Sequence, residues 1–325
     1  MSLNRGCVYR DRVGADGAGA PLARFYAGRH RHSPEAVWRA RAEAGEISRN
    51  GRPAGPDEPL AAGDELAWRR PPWDEPDVPT DWRAVFEDDH LLAVDKPAGL
   101  PCMPAGGFLE HTLARLVAAA RPGEEPVPAH RLGRGTSGLV LFSKTPLARR
   151  ALAALFRDGT ARAGGALEKR YLARSVPLPD SRPGDRFEVE APIGRVPHAR
   201  LGSVWAASPG GKPARSVCTV LEARPDATLW DVEIATGRPH QIRIHLAWLG
   251  CPLAGDPLFL PGGVPRPDVL PGACGYFLRA VRLRLPHPAT GEPLDIAVPA
   301  ERRSGSADSV DAGAAASAEN IGGDL

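Results

Sequence analysis

The sequence predicts an α+β protein, a body with a central antiparallel sheet and a cleft, preceded by a small N-terminal α/β module. Three observations lead there. Strand-like segments cluster in the second part of the chain instead of alternating with long helices, which argues against a doubly wound sheet. The stretch 69–80, RRPPWDEPDVPT, is rich in proline and charge without an apolar period and reads as a linker between residues 1–68 and a body over 81–301. Residues 302–325 are Ala, Ser, Gly and acid without periodicity and read as a disordered acidic tail. A length of 325 residues fits two domains, and no internal repeat is visible.

In the N-terminal part, Ser33 followed by Pro34 reads as a helix N-cap with proline at the first helical position, and Gly45 as its stop. Between them Ala36, Val37, Ala40 and Ala44 mark an apolar face with Trp38 near its edge. A short strand from Gly45 ends in the turn Asn50-Gly51, and Leu60 to Leu66 makes another turn and strand. In the body, Val85 to Val94 reads as two strands about a polar turn, and Thr112 to Ala120 as a helix. Leu139 to Phe142 is a continuous apolar run, hence a buried strand. A second body helix runs from Pro146 to Arg157 with Thr145 as N-cap. Ser216–Leu221, Trp230–Ile234 and Val281–Leu285 alternate apolar and polar residues as half-buried antiparallel strands do.

Composition removes several function classes. With 42% hydrophobic residues the chain can bury a core, so disorder throughout is excluded. Gly and Pro, 36 and 35 in number, help break the apolar runs well short of the roughly 18–20 residues a membrane span needs. The start MSLNRGCVYRDR carries charge where a signal peptide has its apolar segment, so a cytoplasmic protein is expected. Five cysteines without CxxC or Cys/His spacing support neither a disulfide framework nor a zinc site, and His240 and His245 lack a third ligand at metal spacing, so no metal is expected. No GxGxxG, P-loop or nucleophile elbow occurs. The net charge of +2 conceals an uneven distribution: 301–325 carry −3, and 24–52 hold seven Arg against three Glu. That N-terminal patch is modestly basic.

Four segments then fall in order: Asp95-Lys96-Pro97-Ala98-Gly99-Leu100-Pro101; His130-Arg131-Leu132-Gly133-Arg134-Gly135-Thr136-Ser137-Gly138-Leu139; Lys169-Arg170-Tyr171-Leu172-Ala173; and Thr236-Gly237-Arg238-Pro239-His240-Gln241-Ile242-Arg243-Ile244-His245, continuing to Gly255-Asp256-Pro257-Leu258. Their order and spacing resemble an RluA-type RNA pseudouridine synthase from about Val85 to Pro299. The helix with the G-x-I-x-x-N-G and L-x-x-G-D-x-L strands similarly resembles the small RNA-binding module of ribosomal-protein-S-four type. The resemblance implies cofactor-free isomerisation of uridine to pseudouridine in structured RNA, ribosomal or transfer, by a monomer, with the target nucleotide flipped into a pocket. It further implies an essential aspartate after His-Arg-Leu, a tyrosine against the uracil at Tyr171, and an arginine paired with that aspartate at Arg243.

The chain departs from that pattern at one position: Gly133 stands where the family usually has the aspartate. The glycine marks a HRLGRGTSG branch of the pattern, and three readings follow. The enzyme is active with a carboxylate from elsewhere, the candidates being Asp95, Asp88, Asp89 and Asp256; or it is a catalytically inactive RNA-binding homologue; or it is another sugar–base enzyme on the same scaffold. Asp256 also reads as fixing a Gly-Asp-Pro turn, and Asp88 and Asp89 as decorating a hairpin. His130, Arg131, Arg238 and His240 in the body, and Arg39, Arg41 and Arg49 in the N-terminal patch, are the candidate RNA contacts.

Overall fold

The computed structural model describes residues 2–30, 33–158 and 166–299, so the expected tail 302–325 lies outside the described residues. The chain forms two compact units. One runs to Asp77 and takes in Pro104–His111; the other takes Val78–Met103 and continues from Thr112.

The first unit holds β1 (Ser2–Leu3), β2 (Cys7–Arg12), α1 (Leu22–Arg29), α2 (Glu35–Glu43), β3 (Ile47–Arg49), β4 (Arg52–Pro53), β5 (Glu65–Arg70) and β6 (Asp74–Glu75). Its four-stranded antiparallel sheet has the order β2-β5-β3-β4. Asn50 and Gly51 turn β3 into β4 with φ of 50° and 83°, the positive values a tight hairpin turn of this kind requires.

Three expectations are corrected in this unit. Pro34, not Ser33, stands at the N-cap of α2, and the helix begins at Glu35. The helix buries Trp38 and Ala42 rather than Ala36, Val37, Ala40 and Ala44, because one indole removes far more apolar surface from water than several methyl groups. Trp38 stacks on Tyr26 at 4.6 Å and meets Trp68 edge-on at 4.9 Å. The stretch 69–80 is not a free tether: Arg69 and Arg70 finish β5, and Asp74–Glu75 pairs with Ser2–Leu3. The buried Glu75 carboxylate accepts the backbone N–H groups of Leu109, Glu110 and His111 and the Asn4 amide, each at 2.9 Å. A hydrogen-bonded acid orders this segment, which hydrophobic periodicity does not detect.

The second unit holds β7 (Arg83–Glu87), β8 (Leu91–Lys96), α3 (Leu113–Ala120), β9 (Val127–Pro128), β10 (Ser137–Ser143), α4 (Pro146–Asp158), β11 (Glu168–Ser175), β12 (Arg186–Val189), β13 (Ile193–His198), β14 (Gly202–Ala207), β15 (Ser216–Ala223), β16 (Thr228–Ile234), α5 (Gln241–Trp248), β17 (Phe259–Leu260), β18 (Val264–Pro265), β19 (Leu278–Pro286) and β20 (Pro293–Ala297). The main sheet has the order β12-β15-β16-β11-β19-β10-β8-β7, with β20 on β19 and β9 on β10. Thr145 caps α4 as its sequence indicates, accepting the Ala148 N–H at 3.3 Å.

The sheet is antiparallel except at one seam, where β10 runs parallel to β19 through Ser137↔Arg279 and Gly138↔Ala280. Gly138 makes that seam possible. Its φ is 104°, and a Cβ there would lie 2.0 Å from the Ala280 carbonyl oxygen. Tyr171 on β11 lies opposite the same Ala280, so the sheet sets the Lys-Arg-Tyr block and the HRLGRGTSG block on two sides of one β19 residue. Leu132, Tyr171, Ile242 and Tyr276 belong to one buried cluster. Among the described residues no helix is long and apolar enough to cross a membrane.

Candidate active site

The loop 130–136 is held rigidly from below. His130 sits on Phe156 at 4.8 Å, and its Nε2 accepts the Leu141 N–H at 3.1 Å. Burial, with Lys169 adding to it, pushes its pKa down to about 3, so the ring is neutral and structural. The Leu132 N–H donates to Cys102 Sγ at 3.2 Å. The Arg134 carbonyl accepts from the Gly99 N–H at 2.8 Å and from Lys96 Nζ at 3.3 Å. Lys96 is fully buried, donates also to the Pro97 and Leu100 carbonyls at 2.9 and 2.7 Å, and has its pKa lowered to about 8 by burial. Gly133 stands exposed on the resulting turn, closed by Thr136 N–H to Gly133 O at 3.0 Å.

The TGRPHQIRIH block builds the opposite wall. Gln241 organises it: Oε1 accepts the Thr236 hydroxyl at 2.6 Å and the Arg238 N–H at 3.1 Å, while Nε2 donates to the Arg215 carbonyl at 2.9 Å and Ser216 Oγ at 3.0 Å. His240 precedes α5 in the left-handed region, at φ 56°. That conformation bends the loop into the helix and sets Arg243 in the first turn.

Arg243 is the most heavily engaged side chain of this block. Its Nε and Nη2 donate to Asp256 Oδ2 and Oδ1 at 2.7 and 2.8 Å, a two-point pair with the arginine and aspartate side chains 2% and 0% exposed. Nη1 lies 3.3 Å from both His240 Nδ1 and the Pro271 carbonyl. The guanidinium carbon lies 4.4 Å over the Tyr276 ring and 5.0 Å over Phe259. Burial and the adjacent Arg243 charge push the His240 pKa down to about 3, so the neutral ring accepts from the guanidinium. Asp256 Oδ1 also accepts the Leu258 N–H at 2.8 Å, so Asp256 both fixes its turn and neutralises Arg243.

The other candidates are placed as follows. Asp95 pairs with Arg279 at 2.8 Å inside the sheet and is not the partner of Arg243. Asp88 accepts the His90 and Leu91 N–H groups in the β7–β8 turn. Tyr171 is buried in β11, which pushes its pKa up to about 12. Arg131 is exposed beside Gly133, and Arg238 Nε donates to the Pro213 carbonyl at 3.1 Å.

In the first unit each candidate arginine has a partner within the unit. Arg41 lies between Trp38 and Trp68, 4.4 and 4.3 Å from the two rings. Arg49 holds Glu58 and Asp64, and Arg39 holds Asp57. Sequence reasoning missed Lys96 and Cys102 as supports of the Gly133 turn, although the first stands in the matched DKPAG block, and it missed Tyr276, for which no motif signals a role.

A model of the family described as RNA pseudouridylate synthase matches residues 90–248, the span that contains both walls of this site. An uncharacterized RNA pseudouridine synthase of Synechocystis is 42% identical over 277 residues, 85% of this chain and 92% of that protein. The chain belongs to the RNA pseudouridine synthase family. Ribosomal large subunit pseudouridine synthase D of Nitrosomonas europaea is 37% identical over 65% of this chain and 60% of its own. The solved structure of human RNA pseudouridylate synthase domain containing 1, at 24% identity, shares the fold with a TM-score of 0.51, over 70% of this chain and 86% of that one.

As a pseudouridine synthase the chain is an isomerase. The isomerisation breaks the N1–C1′ bond, joins C1′ to C5 of the same uracil, and trades the C5 proton for one on N1, so a site for it has to stabilise charge as the glycosidic bond breaks. Arg243 supplies a fixed cation in a water-excluded place, oriented by Asp256 and flanked by a neutral histidine. Position 133 supplies open space and exposed backbone instead of an acid.

Proposed function

We propose that this pseudouridine synthase acts on ribosomal RNA, that Arg243 with Asp256 forms the ionic centre of its reaction, and that the first unit is an RNA-binding module of ribosomal-protein-S-four type. The observation that carries the reading is the buried two-point Arg243–Asp256 pair, stacked on Tyr276, whose hydroxyl faces Gly133. The carboxylate that pairs with the arginine is then Asp256 of the Gly255-Asp256-Pro257 loop, one of the sequence alternatives. In this reading Tyr171 packs against the uracil, and Arg131 and Arg238 meet phosphate.

The large-subunit relative supports ribosomal over transfer RNA as target. For the first unit, the supporting features are a cleft in which Arg10, Arg12 and Arg69 outnumber Asp11 and Glu65, and the paired helices ahead of the β3–β4 hairpin. Arg39, Arg41 and Arg49 serve the architecture of that unit, and its phosphate contacts come from the cleft arginines. The HRLGRGTSG sequence is then a working variant of the site, in a cytoplasmic, monomeric enzyme.

The test is mapping of pseudouridine by chemically induced reverse-transcription stops in ribosomal and transfer RNA from cells with and without the gene. A single stop lost from large-subunit RNA and restored by the wild-type gene, and not by Arg243→Lys, supports the reading. Unchanged RNA together with salt-sensitive RNA binding by the purified chain supports the inactive binding protein instead.

A further inference from the structure

Tyr276 has no part in any matched segment, yet the site is built around it. Its side chain is 7% exposed. On one side the ring carries the Arg243 guanidinium at 4.4 Å. On the other it fills the inside of the Gly133–Gly135 turn so closely that a Cβ on Gly135 would lie 2.9 Å from its Cζ. The hydroxyl faces Gly133 next to the Thr136 side chain, and burial raises its pKa and holds it neutral.

The same hydroxyl decides what position 133 can hold. A Cβ on Gly133 would meet only Thr136 Oγ1 at 3.6 Å and Tyr276 Oη at 3.7 Å, ordinary contacts, so nothing in the backbone excludes a side chain there. A carboxylate on that Cβ would extend about one further bond pair, to hydrogen-bonding distance of Oη. It would accept the tyrosine proton in a hydrogen bond and add a second negative charge near a guanidinium that Asp256 already neutralises. Gly255 and Gly275 tie the two loops together, since a Cβ on Gly255 would lie 2.1 Å from the Gly275 carbonyl oxygen. The residues before Asp256 and before Tyr276 are thus packed backbone to backbone, and a shift of either is passed to the other.

We propose that Tyr276 is the positioning residue of this active site: its ring holds Arg243 against Asp256, its ring and hydroxyl brace the inside of the 133–136 turn, and glycine at 133 and tyrosine at 276 form a matched pair. The inference rests on Arg243 lying in the active site. Tyr276 acts on the reaction through Arg243 and the turn, and the open surface over Gly133 is left for the sugar of the flipped nucleotide.

The experiment is a double-mutant cycle of Gly133→Asp and Tyr276→Phe, with Arg243→Lys as reference, using single-turnover pseudouridine formation in the RNA that the wild type modifies. Phenylalanine keeps the ring under Arg243 and against Gly135, so Tyr276→Phe retains the fold. The expected result is that Tyr276→Phe lowers the saturating single-turnover rate tenfold or more, with the half-saturating enzyme concentration changed less than threefold and an unchanged melting temperature. The effects of Gly133→Asp and Tyr276→Phe are expected to be non-additive by at least tenfold. Tyr276→Phe within twofold of wild type, or additive effects in the cycle, overturns the proposal if Arg243→Lys is inactive. An active Arg243→Lys removes the site reading itself, and the proposal falls with it. RNA affinity measured in parallel separates a lost contact from a lost position, since only the former changes it.

Discussion

Replacing Asp256 by Asn is the sharpest perturbation of the site. The substitution keeps shape and removes charge. It leaves Arg243, whose side chain is 2% exposed, with an uncompensated cation, and turns an amide toward donors that now meet a carboxylate: Arg243 Nε or Nη2 and the Leu258 N–H. Breaking a buried pair by removing one partner costs about 3–5 kcal/mol. In a unit of roughly 150–250 residues each kcal/mol moves the midpoint by about 2–4 °C. Asp256→Asn is therefore expected to lower the melting temperature of the body by roughly 6–20 °C. Isomerisation should fall as well, even at temperatures where the variant is fully folded, because Arg243 loses its orientation. Differential scanning calorimetry and circular dichroism measure the first effect and single-turnover kinetics the second. The control is Asp57→Asn, which breaks the solvent-exposed pair with Arg39 and should leave the midpoint where it is. A midpoint for Asp256→Asn within about 3 °C of wild type, with the rate retained, refutes the reasoning that this pair is sealed and that it orders the site.

Other consequences are independent of that pair. Gly138→Ala forces a Cβ toward the Ala280 oxygen at 2.0 Å and strains a residue at φ 104°, so it should cost at least about 2 kcal/mol in urea unfolding, whereas Gly210→Ala, a surface glycine without positive φ and with open space around its Cβ, should cost less. His245 is buried between Ser216 Oγ at 2.9 Å and the Ala191 carbonyl at 3.0 Å, and burial lowers its pKa to about 4. Its unfolded form takes a proton from about pH 6.5 downward while the folded form does not until about pH 4, so stability is lost as pH falls through that window, by about 3 kcal/mol at most. Unfolding of His245→Asn should show a flatter pH dependence there. Arg131→Ala and Arg238→Ala should each weaken RNA binding and reduce the slope of log affinity against log salt by about 1, with the fold intact.

The chemistry-bearing segments were legible in the sequence because each is a contiguous block: the Tyr171 strand, the α5 arginine and the pinned 130–136 turn all lie where those blocks are. What was not legible depended on contacts distant in sequence. Arg243 and Asp256 are 13 residues apart and could be recognised as partners only through the fold. The Lys96 support of the Arg134 carbonyl spans 38 residues. Tyr276 stands in a loop without periodicity. The α2 face was misread because the helical pattern counted alanines equally with an indole, and the ordering of 69–77 was missed because a buried acid, Glu75, does it. Helix α1 escaped notice because LARFYAGR follows Pro21 without a polar N-cap.

The central claim is that a pseudouridine synthase works with glycine at 133 and its ionic centre at Arg243–Asp256. The most direct measurement is pseudouridine formation by the purified full-length chain on large-subunit ribosomal RNA taken from cells lacking the gene, with wild type and Arg243→Lys compared under single-turnover conditions. The account expects one uridine converted by the wild type and at least a hundredfold slower conversion by Arg243→Lys, roughly the scale on which losing an oriented charge-stabilising donor is felt. Conversion by Arg243→Lys at the wild-type rate, or no conversion by a wild-type chain that still binds the RNA, would contradict it.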